Sequence, residues 1–564
     1  MRRIEPALWT LIAVATAVLG CKPPPPTTPA AIASEPNLLL WGDTHVHSSY
    51  SQDAYALGNH SADPDTAYRW AKGLPVVHPI TQAKVQIEKP LDFMIVADHA
   101  EALGAHLELD PAAAWSEIIE AAERHYAPCS FTSFIGWEWT SAADGKNLHR
   151  VVFMKGGREQ ANQLAPFSAL DGARPRDLWS WLEEASARLR TDFLAIPHGS
   201  NLSDGAMFAD TDSEGRPISA AYARMRMRWE PVAEVTQFEG DSETHPSLSP
   251  DDEFADFETF LPASEDGAGQ PKLSKGDYAR SALRRGLGIE QAVGANPFKF
   301  GMIGSTNSHT GLASAEEDNF WGATAAESTP ENERAPRPDG EIQGSDLSAQ
   351  GLAAVWAEEN TRASIFAAFK RREVYATTGP RIRVRFFGGW GFNKKQAGDP
   401  NMVTLGYTLG YPMGSDLTKA PEGKAPGFLM YAVKDPDGAN LDRIQIIKGW
   451  VDADGTTHEK VFDIAWSDKR ERGPDGAVPP LPDRVDLATA SYHNSSGAQA
   501  LRGFWSDPDF DPAQRAFYYV RVLQIPTPRH SLYDAVARKQ DPSQTGHPPT
   551  IQERAYTSPI WYTP

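Results

Sequence analysis

Short, mostly apolar runs recur along the first 304 residues: Leu38 to Trp41, Phe93 to Val96, Phe131 to Trp137, Val151 to Phe153, Phe193 to Ile196, Val232 to Phe238, which carries Glu234, and Phe300 to Gly304. Each is too short for a buried helix and lacks the alternation of a half-exposed strand. Each therefore predicts a strand covered on both faces. Helix-like segments lie between several of them, at Pro111 to His125, Pro175 to Arg190 and Asp277 to Arg285. Buried strands alternating with helices predict an α/β fold with a largely parallel sheet or barrel.

The polar residues that follow these runs are of one chemical kind. The first run leads into His45-Val46-His47 with Asp53 beyond, and the second into Asp98-His99 and Glu101. The third leads into Glu138; His149 stands just before Val151; the fifth leads into His198, and the last into Asn307-Ser308-His309. Two His residues two apart in extended chain project to the same side and can share a metal ion. One H-x-H is a weak signal, and a lone His is usually structural. Imidazoles and carboxylates at successive strand ends are different, because strand ends are where α/β barrels assemble active sites.

The pattern changes further on. Gly311 to Gly351 is polar and rich in Glu, Ser and Pro, and predicts a long surface excursion. Ser364 is placed to cap a helix through Arg372. Beyond the loop ending at Pro380 come strand-like runs, Arg381 to Phe387, Phe428 to Val433, Ile444 to Val451, Lys460 to Trp466 and Phe517 to Leu523. Turn residues such as Asp435-Pro436-Asp437-Gly438 separate some of them. This predicts a β-rich, sandwich-like C-terminal domain over 381–564, after a catalytic domain over 37–380. Asp452-Ala453-Asp454-Gly455 lacks the spacing of a calcium loop and predicts a hairpin turn.

The ordered motifs resemble the polymerase and histidinol phosphatase (PHP) superfamily. Gly42-Asp43-Thr44-His45-Val46-His47-Ser48-Ser49-Tyr50-Ser51-Gln52-Asp53, Ala97-Asp98-His99-Ala100-Glu101 and Gly304-Ser305-Thr306-Asn307-Ser308-His309-Thr310-Gly311 carry the resemblance. It implies a distorted (β/α)7 barrel with insertions. It also implies two or three divalent ions (Zn, Mn or Fe) that hydrolyse phosphomonoesters or phosphodiesters. By motif, His45, His47, Glu138 and Asn307 would surround one ion, Glu138, His149 and His198 a second, and Asp53, His99 and His309 a third. Asp98 and Glu101 would stand behind them, orienting a ligand or moving a proton. Asn307 departs from the superfamily's usual Asp and brings no negative charge. Two rival readings follow: a metal-, glycan- or partner-binding lipoprotein with a degenerate site, and a metal-dependent hydrolase of a non-phosphate bond.

Other features narrow the setting. A net charge of -20 argues against duplex nucleic acid as a partner, because such proteins need a basic surface. It leaves room for a small phosphorylated substrate drawn to bound cations. Arg2-Arg3, an apolar run from Ala7 and Val18-Leu19-Gly20-Cys21 resemble a lipoprotein signal peptide over 1–21. A Pro-rich tether over 22–36 follows. The expectation is export and anchoring through lipid on Cys21, in the periplasm or at the outer membrane of a Gram-negative cell. Cys129, the second of two cysteines, would then be an inert buried thiol. Glu234, Glu239, Glu243 and His245 suggest an exposed acidic loop in preference to the lip of a substrate mouth, Arg150 either a phosphate contact or a structural ion pair, and Trp137 and Trp139 core packing in preference to a pocket lining.

Overall fold

The computed structural model describes residues 35–142, 145–260, 273–332, 342–349, 351–474 and 476–564. The expected signal peptide, Cys21 and nearly all of the tether lie outside the described residues. Glu35–Pro564 forms one compact unit. Among the described residues, no helix is long and apolar enough to cross a membrane.

All seven early apolar runs form strands: β1 (Leu38–Val46), β2 (Phe93–Val96), β3 (Thr132–Trp139), β4 (Arg150–Met154), β5 (Phe193–Pro197), β6 (Val232–Gln237) and β7 (Gly301–Gly304). The chain continues into β8 (Leu352–Ala357) and β9 (Val374–Thr377). One apolar cluster takes Leu40 from β1, Phe93 and Ile95 from β2, Phe134 from β3, Val151 and Phe153 from β4, Leu194 and Ile196 from β5, Val232 from β6, Ile303 from β7, and Val355 from β8. Residues of β1 to β8 thus share one apolar cluster, which Val374 of β9 and Ile365, Phe366 and Phe369 of the helix Arg362–Arg371 complete. Met94 and Val96 point the other way, into a cluster with Ile118 and Ile119 of the helix Pro111–His125. Burial on both faces explains why these strands read as mostly apolar runs.

The expected parallel order holds for β1–β2–β3 and for β6–β7. Elsewhere the pairing is antiparallel: β3–β4, β4–β5, β1–β8 and β8–β9. The connection from β3 to β4 is too short for a crossover helix, so β4 turns back. His149, which precedes β4, therefore lies at the same rim as Glu138 near the end of β3. Gly304 permits close approach at the seam: a Cβ there would lie 2.8 Å from Thr377 O and 3.0 Å from Leu352 N.

The later strands are β10 (Arg383–Gly389), β11 (Gly427–Val433), β12 (Leu441–Val451), β13 (Thr457–Trp466), β14 (Ala500–Ser506), β15 (Ala516–Gln524), β16 (Arg554–Thr557) and β17 (Ile560–Thr563). β16 pairs with β9, so β12, β13, β15 and β17 extend the sheet begun by β1. The sheet holding β10, β11 and β14 packs on it through Phe428, whose ring centroid is 4.5 Å from that of Tyr518. Asp452–Gly455 is the turn between β12 and β13.

Three local expectations need correction. The described residues of the 311–351 stretch are not a surface excursion: Leu312, Ala313, Ala323 and Leu347 are buried, and Ala323 O accepts from His309 N. The helix expected from Ser364 is Arg362–Arg371, capped by Thr361, while Ser364 Oγ accepts from Glu358 N and Glu359 N. Cys129 is exposed and is not a free thiol.

Candidate metal centre

The end of β1 sets the first ligands. Val46 is buried in the core, so His45 and His47 share the opposite side. Asp43 fixes this turn. Its carboxylate accepts from His45 N at 2.9 Å and from Thr306 Oγ1 at 2.5 Å, tying β1 to the loop after β7. Burial pushes the Asp43 carboxyl up to about 7. His47 N donates to Ser308 O at 2.8 Å and completes the seam.

Glu138 is the hub. One oxygen, Oε2, lies 3.2 Å from both His45 Nε2 and His47 Nε2. The other, Oε1, lies 2.9 Å from His149 Nδ1 and 3.3 Å from His198 Nε2. Asp53 joins the remaining imidazoles, at 2.8 Å from His99 Nε2 and 2.9 Å from His309 Nε2. Four groups have all their donor atoms within 4.8 Å of one another: His47, Asp53, His99 and His309; His45, His198 and Glu234; His45, His47 and Glu138; Glu138, His149 and His198.

The crowding distorts titration. His45 is pushed up to about 10, because Glu234 and Glu138 outweigh the burial that opposes its charge. His99 is likewise pushed up to about 10 against burial, chiefly by Asp53 and Glu138. Burial, helped by a neighbouring imidazole, depresses two more: His47, beside His309, and His198, beside His45 and brought down to about 4. Despite burial, His99 and His198 hold Glu138 well below the usual carboxylate range.

Asn307 has φ of +57°, a region Asn tolerates better than most residues. Its Nδ2 donates to Gln237 Oε1 at 3.1 Å, while its buried Oδ1 has no hydrogen-bond partner. Glu234 Oε2 and His198 Nδ1 are buried and unpartnered as well. Orphaned acceptors beside clustered imidazoles and carboxylates fit divalent transition ions, whose coordination would satisfy them. A cavity of about 240 Å³ opens here. Eight of the nine expected ligands line it; His45 lies behind them. The remaining wall is Leu57, Asn147, Phe238, Glu239 and Thr324.

Asp98 and Glu101 do not line this cavity. Asp98 accepts from Ser51 Oγ at 3.0 Å, and Ser51 Oγ contacts His47 Nδ1 at 2.8 Å. Glu101 Oε1 accepts from Thr140 N at 3.0 Å and Ala169 N at 2.7 Å. Thr140 Oγ1 in turn reaches Glu138 and His99. Asp98 thus reaches His47 through Ser51, and Glu101 reaches Glu138 and His99 through Thr140.

Sequence reasoning missed Glu234. It sits within β6, is 2% exposed and lies 3.3 Å from His45 Nδ1. The available signal was a carboxylate inside an apolar strand. Glu239 is at the cavity wall, and Glu243 is buried against Arg280 at 2.7 Å, so neither belongs to an exposed loop. Half-buried His245 stands outside the cavity lining. Arg150 is structural, bonded to Glu230 at 2.9 Å. Trp137 and Trp139 are core residues, donating to Phe167 O and Gly172 O.

The sequence profile of a family described as a protein of unknown function (DUF3604) matches residues 34–112 and 107–564. Among solved structures, a two-domain protein from Bacteroides vulgatus, described as containing a predicted PHP-like metal-dependent phosphoesterase, is similar at 12% identity and a TM-score of 0.31. The similarity covers 76% of this chain and 86% of that one. No curated protein matches.

Proposed function

The chain belongs to the DUF3604 family, and we propose that it is a metal-dependent phosphoesterase with a distorted PHP-type barrel, acting on small phosphomonoesters or phosphodiesters. One observation carries the reading. Imidazole and carboxylate donors from distant parts of the chain meet in four overlapping groups around Glu138 and His47.

His47, Asp53, His99 and His309 would hold one ion, and His45, His198 and Glu234 another. Glu138 and His149 stand between these groups, where a third ion or a bridging carboxylate fits. Asn307 Oδ1 adds a neutral acceptor. Two or three bound Zn, Mn or Fe ions would lower the pKa of a water nucleophile and offset charge on the phosphoryl oxygens. The protein's own contribution is orientation. His309 Nδ1 is held by Asn307 O at 2.8 Å, which directs Nε2 at Asp53. Ser51 and Asp98 do the same for His47. Leu57 and Phe238 supply the apolar part of the wall.

The test is metal analysis of the purified protein, followed by turnover of aryl phosphate monoesters, phosphate diesters and sulfate esters with and without chelator. Chelator-sensitive phosphate release supports the proposal. Stoichiometric metal with no hydrolysis of any ester defeats it in favour of a binding role. Turnover of the sulfate ester alone would redirect it to a non-phosphate bond.

The proposal extends to location: export with a lipid on Cys21, supported by the order of basic, apolar and Leu-Gly-Cys segments. The mass of the N-terminal peptide tests this: a lipid on Cys21 supports it, and an uncleaved, unmodified N-terminus defeats it.

A further inference from the structure

A second set of oxygens lies apart from the imidazoles, in a cleft where the turn Glu317–Asn319 meets the end of β15 and the segment before β16. Glu317, Gln524 and Glu553 line it. The backbone holds two of them side by side, with Gln524 N donating to Glu553 O at 3.0 Å. Glu553 and Gln524 are 1% and 2% exposed. Each side chain has one end fixed. Glu553 Oε2 accepts from Thr378 Oγ1, and Glu317 Oε2 accepts from His530 N. Gln524 Nε2 points to Thr527 Oγ1 at 3.5 Å. The other ends, Glu317 Oε1, Gln524 Oε1 and Glu553 Oε1, are buried without a hydrogen-bond partner.

Three acceptors at one small cleft, two from carboxylates, would be costly without a positive partner. The nearby positive groups act on these acids from a distance but are bonded to other partners: Arg529 binds Glu258 at 2.9 Å, Arg554 donates to Phe254 O at 2.8 Å, and Lys89, on the same cleft wall, binds Asp435 at 3.2 Å. Burial raises the carboxyls of Glu317 and Glu553, and the charge of Glu317 raises Glu553 further. The three orphaned atoms are all oxygens, which suits a hard cation that fills its remaining positions with water.

We propose that Glu317, Gln524 and Glu553 form a second cation site, of Ca²⁺ class, distinct from the imidazole centre. Bound there, the ion would fasten the segment that follows His309 to the ends of β15 and β16.

The experiment uses the full chain with its imidazole centre preloaded with zinc. Tb³⁺ is titrated while exciting Tyr492 and Tyr533, which line the same cleft, and Ca²⁺ is added as competitor. The expected result is sensitised emission displaced by Ca²⁺, weakened at least about tenfold in Glu553→Gln and in Glu317→Gln. His47→Ala should leave it unchanged. A melting measurement guards against misfolding: without Ca²⁺, Glu553→Gln should melt at or above the parent, and added Ca²⁺ should stabilise only the parent. Emission that is absent, insensitive to Ca²⁺ or unaltered in both variants overturns the site. So does loss of emission in His47→Ala alone, which would assign the ion to the imidazole centre.

Discussion

Asn307 gives its amide nitrogen to Gln237, at 3.1 Å, and so turns its oxygen away from the one protein group that fixes its orientation. Asn307→Asp keeps the shape but places a carboxylate oxygen against Gln237 Oε1. We expect the metal-free variant to lose about 1–3 kcal/mol of stability, the usual cost of an unmatched buried acceptor. Metal occupancy should hold or rise, because the new ligand is charged. Denaturant melts of the metal-free protein and metal analysis after dialysis check both halves. A fall in occupancy would argue against ligation at this position.

His47→Ala and His198→Ala each remove a ring shared among the donor groups. Ester turnover should fall by roughly a hundredfold or more, consistent with loss of an ion's charge from the transition state. The fold should persist, because the apolar cluster inside β1 to β8 contains neither ring. Circular dichroism with metal analysis separates the cases. Turnover near the parental rate with normal metal content would remove these residues from the site.

Metal uptake should release protons. In the metal-free protein His45 and His99 are raised to about 10, so both carry a proton at pH 7. A ligating imidazole must be neutral. The metal-free state thus binds more protons than the loaded one, and affinity should climb with pH toward about 10. Calorimetry of zinc binding in two buffers of different ionisation heat reads the number released. Uptake with no proton release would contradict the charge states derived from the cluster.

Glu258 gives a pH effect outside the imidazole cavity. Arg529 holds it down to about 2 in spite of burial, against an ordinary value of 4.5. A depressed folded-state value means that the stabilisation is present above about pH 4.5 and is lost as pH falls toward about 2. The difference amounts to on the order of 3 kcal/mol. Glu258→Gln should therefore cost about that much at pH 7 and little near pH 2. Urea melts of both proteins across this range test it; a penalty independent of pH would show that packing, not charge, sets the cost.

The sequence made the strands legible because their two-sided burial leaves mostly apolar runs, and the imidazoles legible because they stand just beyond those runs or, for His149, just before one. Strand direction was not legible. An apolar run such as Val151 to Phe153 reads the same either way, and its reversal follows from the short connection that precedes it. Glu234 was hidden by its neighbours: with Glu239 and Glu243 it looked like one acidic patch, whereas the three side chains reach His45, the cavity wall and Arg280 respectively. Asp43 was hidden because its work is done through Thr306, far along the chain. The capping residue of the helix Arg362–Arg371 was ambiguous for a local reason, since Thr361 and Ser364 both have the required hydroxyl.

The reversal of β4 has one more consequence. The segment between Glu138 and His149 departs from one donor and arrives at another, and its two anchors are clasped by the Trp139–Arg150 pairing. The register of the two paired strands, and not the length of the chain that joins them, therefore sets how far Glu138 stands from His149.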